Sequence, residues 1–266
     1  HTHRGKAVSA TDATMALVGR EWLRLWRQPA RIVATVGTPM VLLIALGAGF
    51  AGSISGLMGV GDERAYAAFL LPGMMAMASL FASIFGAISL IEDRDSGLLL
   101  VVMAGPAPSG SVVMAKIIGI GLPAFLQALI LLPAAWILGV YPSLTQTILA
   151  ILATLLLTLA IVSVSLTLAW RVKSTQEFHA IMNTVLMPMW LLSGSFYPAS
   201  ESAAVMRWLT AINPLSWPVE ALRSSINGLA SPLLGSWAWP LTGVFALGSV
   251  LMAMGTIGLG KRGKLS

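Results

Sequence analysis

Ser193 and Ser195 stand in the short run Leu-Ser-Gly-Ser-Phe, with His179 upstream. A serine activated by a histidine would suggest acyl transfer. The context does not support it. The run does not match G-x-S-x-G, and on one continuous helix His179 and the serines lie roughly 20 Å or more apart. Residues 105–111, GPAPSGS, superficially resemble a phosphate loop, but no lysine follows to reach the phosphates and no strand precedes them. No H-E-x-x-H and no acidic cluster for a metal occurs, and without cysteine there is neither a thiolate metal site nor a disulfide framework. The redox compartment stays open. An intramembrane enzyme ranks last among the functions considered.

Two other groups invite a role. One is a set of polar residues in apolar surroundings: Gln127, Thr154, Thr158, Ser165 and Asn183. Thr147, Thr154, Thr158 and Ser165 share one helical face, which would line a path for an amphiphilic substrate. Their blander role is hydroxyls bonded to their own helix, or glue between helices. The other group is the stretch 211–223, AINPLSWPVEALR, which interrupts an oily sequence with an asparagine, two prolines and the pair Glu220 and Arg223.

The elements that position these residues are membrane helices. The chain has 266 residues, 57% hydrophobic and 10% charged, with a mean hydropathy of +0.85. A soluble domain carries about 25% charged residues, and the apolar runs are too long for strands of a barrel. Charge-free runs predict six spans: 32–50, 65–91, two spans within 117–170 divided by GVYPS at 139–143, 178–196 and 237–259. Pro123, Pro133 and Pro188 are expected to kink spans three and five. The spans carry essentially no charge in their interiors, which argues against a proton- or ion-coupled transporter. The chain opens His1-Thr2-His3, expected to be a tag remnant or a truncated start, and no cleavable signal peptide is expected.

Six spans place both termini on one side. Thirteen Lys/Arg fall on that side and three, Arg64, Arg207 and Arg223, on the other. The terminal side is therefore expected to be cytoplasmic. The net charge of +6 then belongs to topology and lipid headgroups, not to nucleic acid. The chain reads as a single domain over 1–266, all-α and membrane-embedded.

Three segments are not spans. Residues 14–30 form an amphipathic helix with Met15, Val18, Trp22, Leu25 and Trp26 on one face and Arg20, Arg24, Arg27 and Arg31 on the other. Pro29 ends or kinks it. It is either a plain membrane anchor or a connector packed against a cytoplasmic partner. Residues 92–114 leave the membrane on a charge cluster (Glu92, Asp93, Arg94, Asp95) and turn at Gly97. A short apolar helix then presents residues 98–103 to a partner groove, with a bilayer-lying loop as the alternative. Residues 197–230 contain two short helices separated by NPLSWP. Val205, Trp208 and Ile212 line the first; Val219, Leu222, Ile226 and Leu229 line the second, with Glu220, Arg223, Ser224 and Asn227 mostly on its other side. Asn213 or Ser216 is expected to cap the second helix. The arrangement is expected to be a re-entrant external hairpin at the mouth of a pathway, since broken backbone at membrane depth needs protein or water around it. A plain surface loop is the alternative.

This layout resembles the membrane subunit of ABC exporters of the second type, the ABC-2 permease family, over nearly the whole chain. The similarity rests on the amphipathic first helix, the six spans and the EDRDSGLLL loop with Gly97, Pro106 and Lys116 in order. It rests most on SGSFYP…INPLSWPVEALR, where Ser193, Gly194, Pro198, Asn213, Pro214 and Arg223 fall on the family pattern. After Gly97 this chain continues with apolar LLLVVMAG, where the family loop often carries charges.

The resemblance implies a bacterial inner-membrane, multi-pass exporter subunit. It would pair with a second permease copy or close homologue and with two copies of a separate P-loop ATPase. ATP and Mg would sit on that partner, and no cofactor on this chain. Glu92, Asp93, Arg94, Gly97, Leu98, Leu99 and Val102 would couple to the ATPase, with Leu98, Leu99 and Val102 buried against it. Ser193, Gly194, Pro198, Asn213, Pro214, Glu220 and Arg223 would form the external gate. Few internal charges imply a hydrophobic or amphiphilic cargo: a drug-like molecule, a lipid or a lipid-linked glycan. A membrane scaffold or maturation factor without transport is the alternative.

Overall fold

The computed structural model describes residues 10–57, 64–104, 109–228, 231 and 233–263. Twelve α-helices account for most of them. The chain begins with α1 (Ala10–Trp26). Gln28 precedes Pro29, and a residue before proline is pushed out of α geometry. The helix therefore stops, and α2 (Pro29–Leu57) starts on the proline, whose missing N–H is harmless in a first turn. The break falls slightly earlier than the sequence pattern placed it.

α3 (Ala65–Asp95) runs past the expected end of its span, so Glu92, Asp93, Arg94 and Asp95 form its last turn instead of a loop. Gly97, at φ +75°, takes a left-handed conformation that a side chain disfavours, and α4 (Leu98–Ala104) follows. Pro106 lies outside the described residues. α5 (Ser109–Leu129) carries Pro123 inside it. Pro133 then sits at the start of the single turn α6 (Ala134–Ile137). α7 (Leu144–Arg171) opens on a capping box: Ser143 Oγ accepts from Gln146 N at 3.3 Å, and Gln146 Oε1 accepts from Ser143 N at 2.6 Å.

The expected fifth span is a composite rod: α8 (Thr175–Ile181), a π-helical turn over Met182–Leu186, and α9 (Met187–Leu191). Pro188 is the physical reason. It has no N–H to give, and the ladder shifts register, with Met187 N donating to Met182 O. A short 3₁₀ turn (Ala199–Glu201), α10 (Ala204–Ile212), α11 (Ser216–Asn227) and α12 (Ala238–Gly263) complete the order. α11 ends on Gly228 at φ +69°, a left-handed C-terminal cap.

Among the described residues five helices are long and apolar enough to cross a membrane: 29–50, 65–95, 110–137, 144–171 and 238–258. The rod from α8 to α9 falls short of them. α3 is the central helix: 83% of its most apolar stretch is buried, against 22% for α2 and 28% for α12. The apolar residues left outward, such as Val41, Ile44, Leu247 and Leu251, suit hydrocarbon or a second protein surface, not water. Small residues allow the closest helix approaches. A Cβ at Gly47 would lie 2.7 Å from Ala67 Cβ, where α2 meets α3.

Hydrogen bonds fix which ends lie together. Arg94 Nη1 donates to Trp170 O at 3.4 Å, joining the C-terminal ends of α3 and α7. Tyr66 Oη donates to Phe196 O at 3.1 Å and Trp190 Nε1 to Gly73 O at 3.0 Å, joining the start of α3 to the far end of the rod. The rod therefore runs antiparallel to α3, from one end of the bundle toward the other.

Candidate functional site

Two buried polar knots, one at each end of α3, are the places where this apolar bundle concentrates charge. At the end shared by α1, α3 and α5 the centre is Lys116. Its Nζ donates to Asp93 Oδ2 at 2.5 Å, Glu21 Oε1 at 2.6 Å and Ser89 Oγ at 3.1 Å. Arg20 grips Asp93 with both terminal nitrogens, at 2.9 and 2.5 Å. Arg24 bridges Glu92 at 3.2 Å and lies 3.5 Å from Asp93. The hydrogen bond to Asp93 raises the Arg20 pKa above its ordinary value. Three cations thus balance three carboxylates, and Lys116, Asp93 and Glu21 are each at most 5% exposed at the side chain.

This geometry revises the expectation for α1. Part of its polar side turns inward: Glu21 is buried and Arg20 and Arg24 reach the knot, while Arg27 stays exposed, as do Met15 and Trp26 of the apolar face. α1 lies tight on α5, because a Cβ at Gly119 would stand 3.0 Å from Glu21 Cγ and 3.4 Å from Val18 Cα. Asp93 is buried in the knot and cannot reach a partner. Glu92 is half-exposed, and Arg94 pairs weakly with Asp95 at 3.8 Å.

On α4, Leu99 is buried within this chain's own core at 5% exposure, whereas Val101 is 72% exposed. Leu98 and Val102 are half-buried. Leu99 is already packed inside, so it is not the surface that a partner would bury. Among the described side chains of α4, Val101 is the large apolar one turned outward.

The second knot lies at the opposite end, around the residues of the SGSFYP…NPLSWPVEALR pattern. Arg223 pairs with Glu220, donates to Gly194 O at 2.8 Å and stacks over Phe69 with its guanidinium carbon 4.2 Å from the ring centre. Ser231 Oγ donates to Glu220 Oε2 at 2.7 Å. Gly194, at φ +76°, turns the chain so that its carbonyl meets the guanidinium. Ser193 Oγ donates to Trp190 O at 2.6 Å and lies 2.7 Å from Ser195 Oγ. The two serines bond to each other and to backbone, an arrangement for holding a turn.

Asn213 Nδ2 donates to Met189 O at 2.6 Å, and its Oδ1 accepts from Leu215 N at 3.1 Å. It therefore pins the break between α10 and α11 onto α9. It does not cap α11, whose start has no side-chain cap; Ser216 Oγ is buried without a partner. Pro214 and Pro198 are half-buried, Pro198 at the start of the 3₁₀ turn. The polar side of α11 is the surprise. Glu220 and Arg223 are 2% and 7% exposed, packed inward with Val219 and Leu222, so α11 buries both faces. α10 instead leaves Val205, Trp208 and Ile212 exposed.

The residues expected to line a path lie apart from both knots. Thr154 and Thr158 donate to the carbonyls four residues back, at 2.8 Å each, and Thr158 meets Ser79 of α3 at 2.9 Å. Ser165 is buried with its hydroxyl unpartnered. Gln127 bonds Thr35 of α2. Of these groups, Thr158 and Gln127 join helices of one chain. Asn183, on the π turn, is exposed. Among the described residues no three His, Cys, Asp or Glu are grouped to hold a metal ion.

The sequence pattern did not single out Glu21 or Gly119, and it placed Lys116 at the head of span three and in the family-like loop without giving it buried partners. A signal existed: Lys116 is the sole charged residue between Asp95 and Arg171, and a lone ionisable group in such a run implies a buried partner.

The family model described as ABC-2 type transporter matches residues 12–227. The transport permease ycf38 of Porphyra purpurea is 25% identical over 210 residues, covering 78% of this chain and 72% of that protein. Nodulation protein J of Neorhizobium galegae is 25% identical over 224 residues, covering 79% and 83%. Nodulation protein J of Rhizobium meliloti is 25% identical over 233 residues, covering 84% and 86%.

Proposed function

The chain belongs to the ABC-2 type transporter family, and from that premise we propose that it is the permease subunit of an ATP-driven exporter. Membership makes it a transport permease and not itself an enzyme, from a family that normally works with an ATPase partner. The permease pairs with a second copy or close homologue and binds two ATPase subunits, which carry ATP and Mg. It moves a hydrophobic or amphiphilic molecule out of the cytoplasm or the adjacent leaflet. It sits in the cell membrane with six crossings, the rod from α8 to α9 being the fifth, and with both termini cytoplasmic. The Lys/Arg asymmetry supports this orientation, as does the antiparallel run of the rod.

The observation that carries the coupling reading is the knot at Lys116. It clamps α1 to α3 and α5, directly beside α4, the short helix that turns Val101 outward. A push on α4 or α1 from a soluble partner would move these helices as one body. Bending the clamp would expose buried charge, so the clamp resists. At the far end, α10 and α11 with the Arg223 knot would serve as the external gate, Asn213 holding them to the rod that the movement displaces.

The test is co-expression with the ATPase, purification, and measurement of subunit ratio and hydrolysis. One ATPase per permease, with hydrolysis stimulated by a long-chain amphiphile, is expected. A permease that purifies stably with its ATPase absent, or a complex whose hydrolysis ignores every amphiphile, would favour the scaffold role instead.

A further inference from the structure

Arg31 makes no direct ion pair among the described residues, although Glu21 and Glu92 act on it through space. It sits in the first turn of α2, where the chain enters the membrane. Its Nη1 donates to Gln28 Oε1 and its Nη2 to Ala82 O, both at 3.4 Å, and its guanidinium lies 6.0 Å from the Phe85 ring centre. Bonds of that length are weak. Among the described residues every ion pair omits Arg31, and its Nε is buried with no partner. Arg24 Nη1 is also buried without a hydrogen bond, although Asp93 stands nearby. A cavity of about 180 Å³ lies between them, lined by Arg24, Gln28, Arg31, Phe85, Ser89 and Glu92 among others.

The neighbouring carboxylates are already engaged. Glu92 is bound by Arg24, and Asp93 by Lys116 and Arg20. A guanidinium held only by long bonds to neutral groups is costly away from water, and the four cations Arg20, Arg24, Arg31 and Lys116 exceed the three carboxylates Glu21, Glu92 and Asp93 by one charge. The volume exceeds what a few waters need, at about 30 Å³ each in the liquid. The place decides the source of the missing anion. Leu23 and Trp26, just before the break, are 54% and 67% exposed, and such side chains settle at headgroup depth. Glu92 on the cavity wall disfavours a doubly charged anion, whereas a phosphate diester carries one negative charge, equal to the charge left over.

We propose that this cavity binds the phosphate diester of an anionic phospholipid headgroup, held by the surplus positive charge of Arg31 beside Arg24 on the cavity wall. The lipid would lock the elbow between α1 and α2 against α3. The inference needs only that α2 enters the membrane at Arg31; it stands whether or not the chain transports anything and whichever leaflet is cytoplasmic.

Symmetric nanodiscs test it, made of phosphatidylcholine alone or mixed with phosphatidylglycerol. Retained lipid is read by native mass spectrometry, and the thermal midpoint by intrinsic fluorescence. The wild type is expected to retain phosphatidylglycerol preferentially and to melt several degrees higher in the mixed discs. Arg31→Gln should lower that preference by about tenfold, the worth of a charge-assisted bond. Gln28→Glu, on an exposed residue whose change does not threaten folding, should do the same by placing a carboxylate against Arg31. Arg27→Gln, exposed and outside the cavity, should retain the preference. Three results each overturn the proposal: no preference in the wild type, an equal loss in Arg27→Gln, or full preference in Gln28→Glu. Equal stabilisation by inorganic phosphate in phosphatidylcholine discs would also overturn it, assigning the site to a free anion.

Discussion

Replacing Lys116 with methionine removes the one cation within hydrogen-bond distance of both Asp93 and Glu21. Asp93 keeps Arg20, but Glu21 is left with only Arg20, at 3.8 Å. Two cations then face three carboxylates in a site at most 5% exposed around Asp93 and Glu21. Breaking a buried pair from one side costs about 3–5 kcal/mol, because the surviving charge is stranded. For a large domain each kcal/mol shifts the midpoint by about 2–4 °C. Lys116→Met should therefore melt roughly 6–20 °C below wild type in the same detergent.

The double variant Lys116→Met with Asp93→Asn is the informative partner, because it removes charge from both sides of the 2.5 Å contact. It should recover part of the loss, with a coupling of about 1–3 kcal/mol in a double-mutant cycle. Thermal melts of all four proteins in one buffer suffice. If the two single losses simply add, or if Lys116→Met melts with the wild type, Lys116 does not act as the clamp described here.

Other outcomes follow from the same structure. Val101→Asp should reduce co-purification of the ATPase by about tenfold while leaving the melting midpoint unchanged, as half the value of a buried side chain implies; Leu99→Asp should destabilise the chain itself, because Leu99 is inside it. Gly73→Ala should destabilise by about 1–3 kcal/mol, since the new Cβ would stand 2.5 Å from Ser195 Cβ and 2.9 Å from its Cα; a normal melt would contradict the close packing. Arg223→Lys should fail to preserve the Arg223 knot, because an ammonium cannot pair with Glu220, reach Gly194 O and stack on Phe69 at once; unchanged stability and transport would contradict it. A cysteine placed at Ser96 in this cysteine-free chain should stay unlabelled by an impermeant reagent in intact cells, and labelling from outside would reverse the orientation.

The helices were legible because hydrocarbon tolerates few charges, and the gaps between charges mark the crossings. The breaks at Pro29, Gly97 and Asn213 were legible as well, since proline and glycine act locally. What stayed hidden depended on distance in sequence. Periodicity puts Arg20 and Arg24 on a polar face, and a polar face ordinarily meets water. Only contact with Asp93, on another helix, turns that face inward. The same holds for α11, where pairing with Glu220 and stacking on Phe69 let Arg223 lie buried. Leu98, Leu99 and Val102 were legible as an apolar ridge, but the ridge alone could not tell which side chain packs at home and which, like Val101, is turned outward. The Pro188 kink was readable; its form, a π turn that shifts the ladder by one residue, was not.

On the function proposed above, ATP hydrolysis by a partner drives an amphiphile through this chain. Proteoliposomes carrying the co-purified permease and ATPase, loaded with a fluorescent long-chain amphiphile, test it most directly. The account predicts directional movement of the amphiphile that needs ATP, stops with a hydrolysis-deficient ATPase, and is impaired by Lys116→Met in protein that remains folded. Movement equal with and without ATP, or none for any amphiphile while the complex hydrolyses ATP, would contradict it.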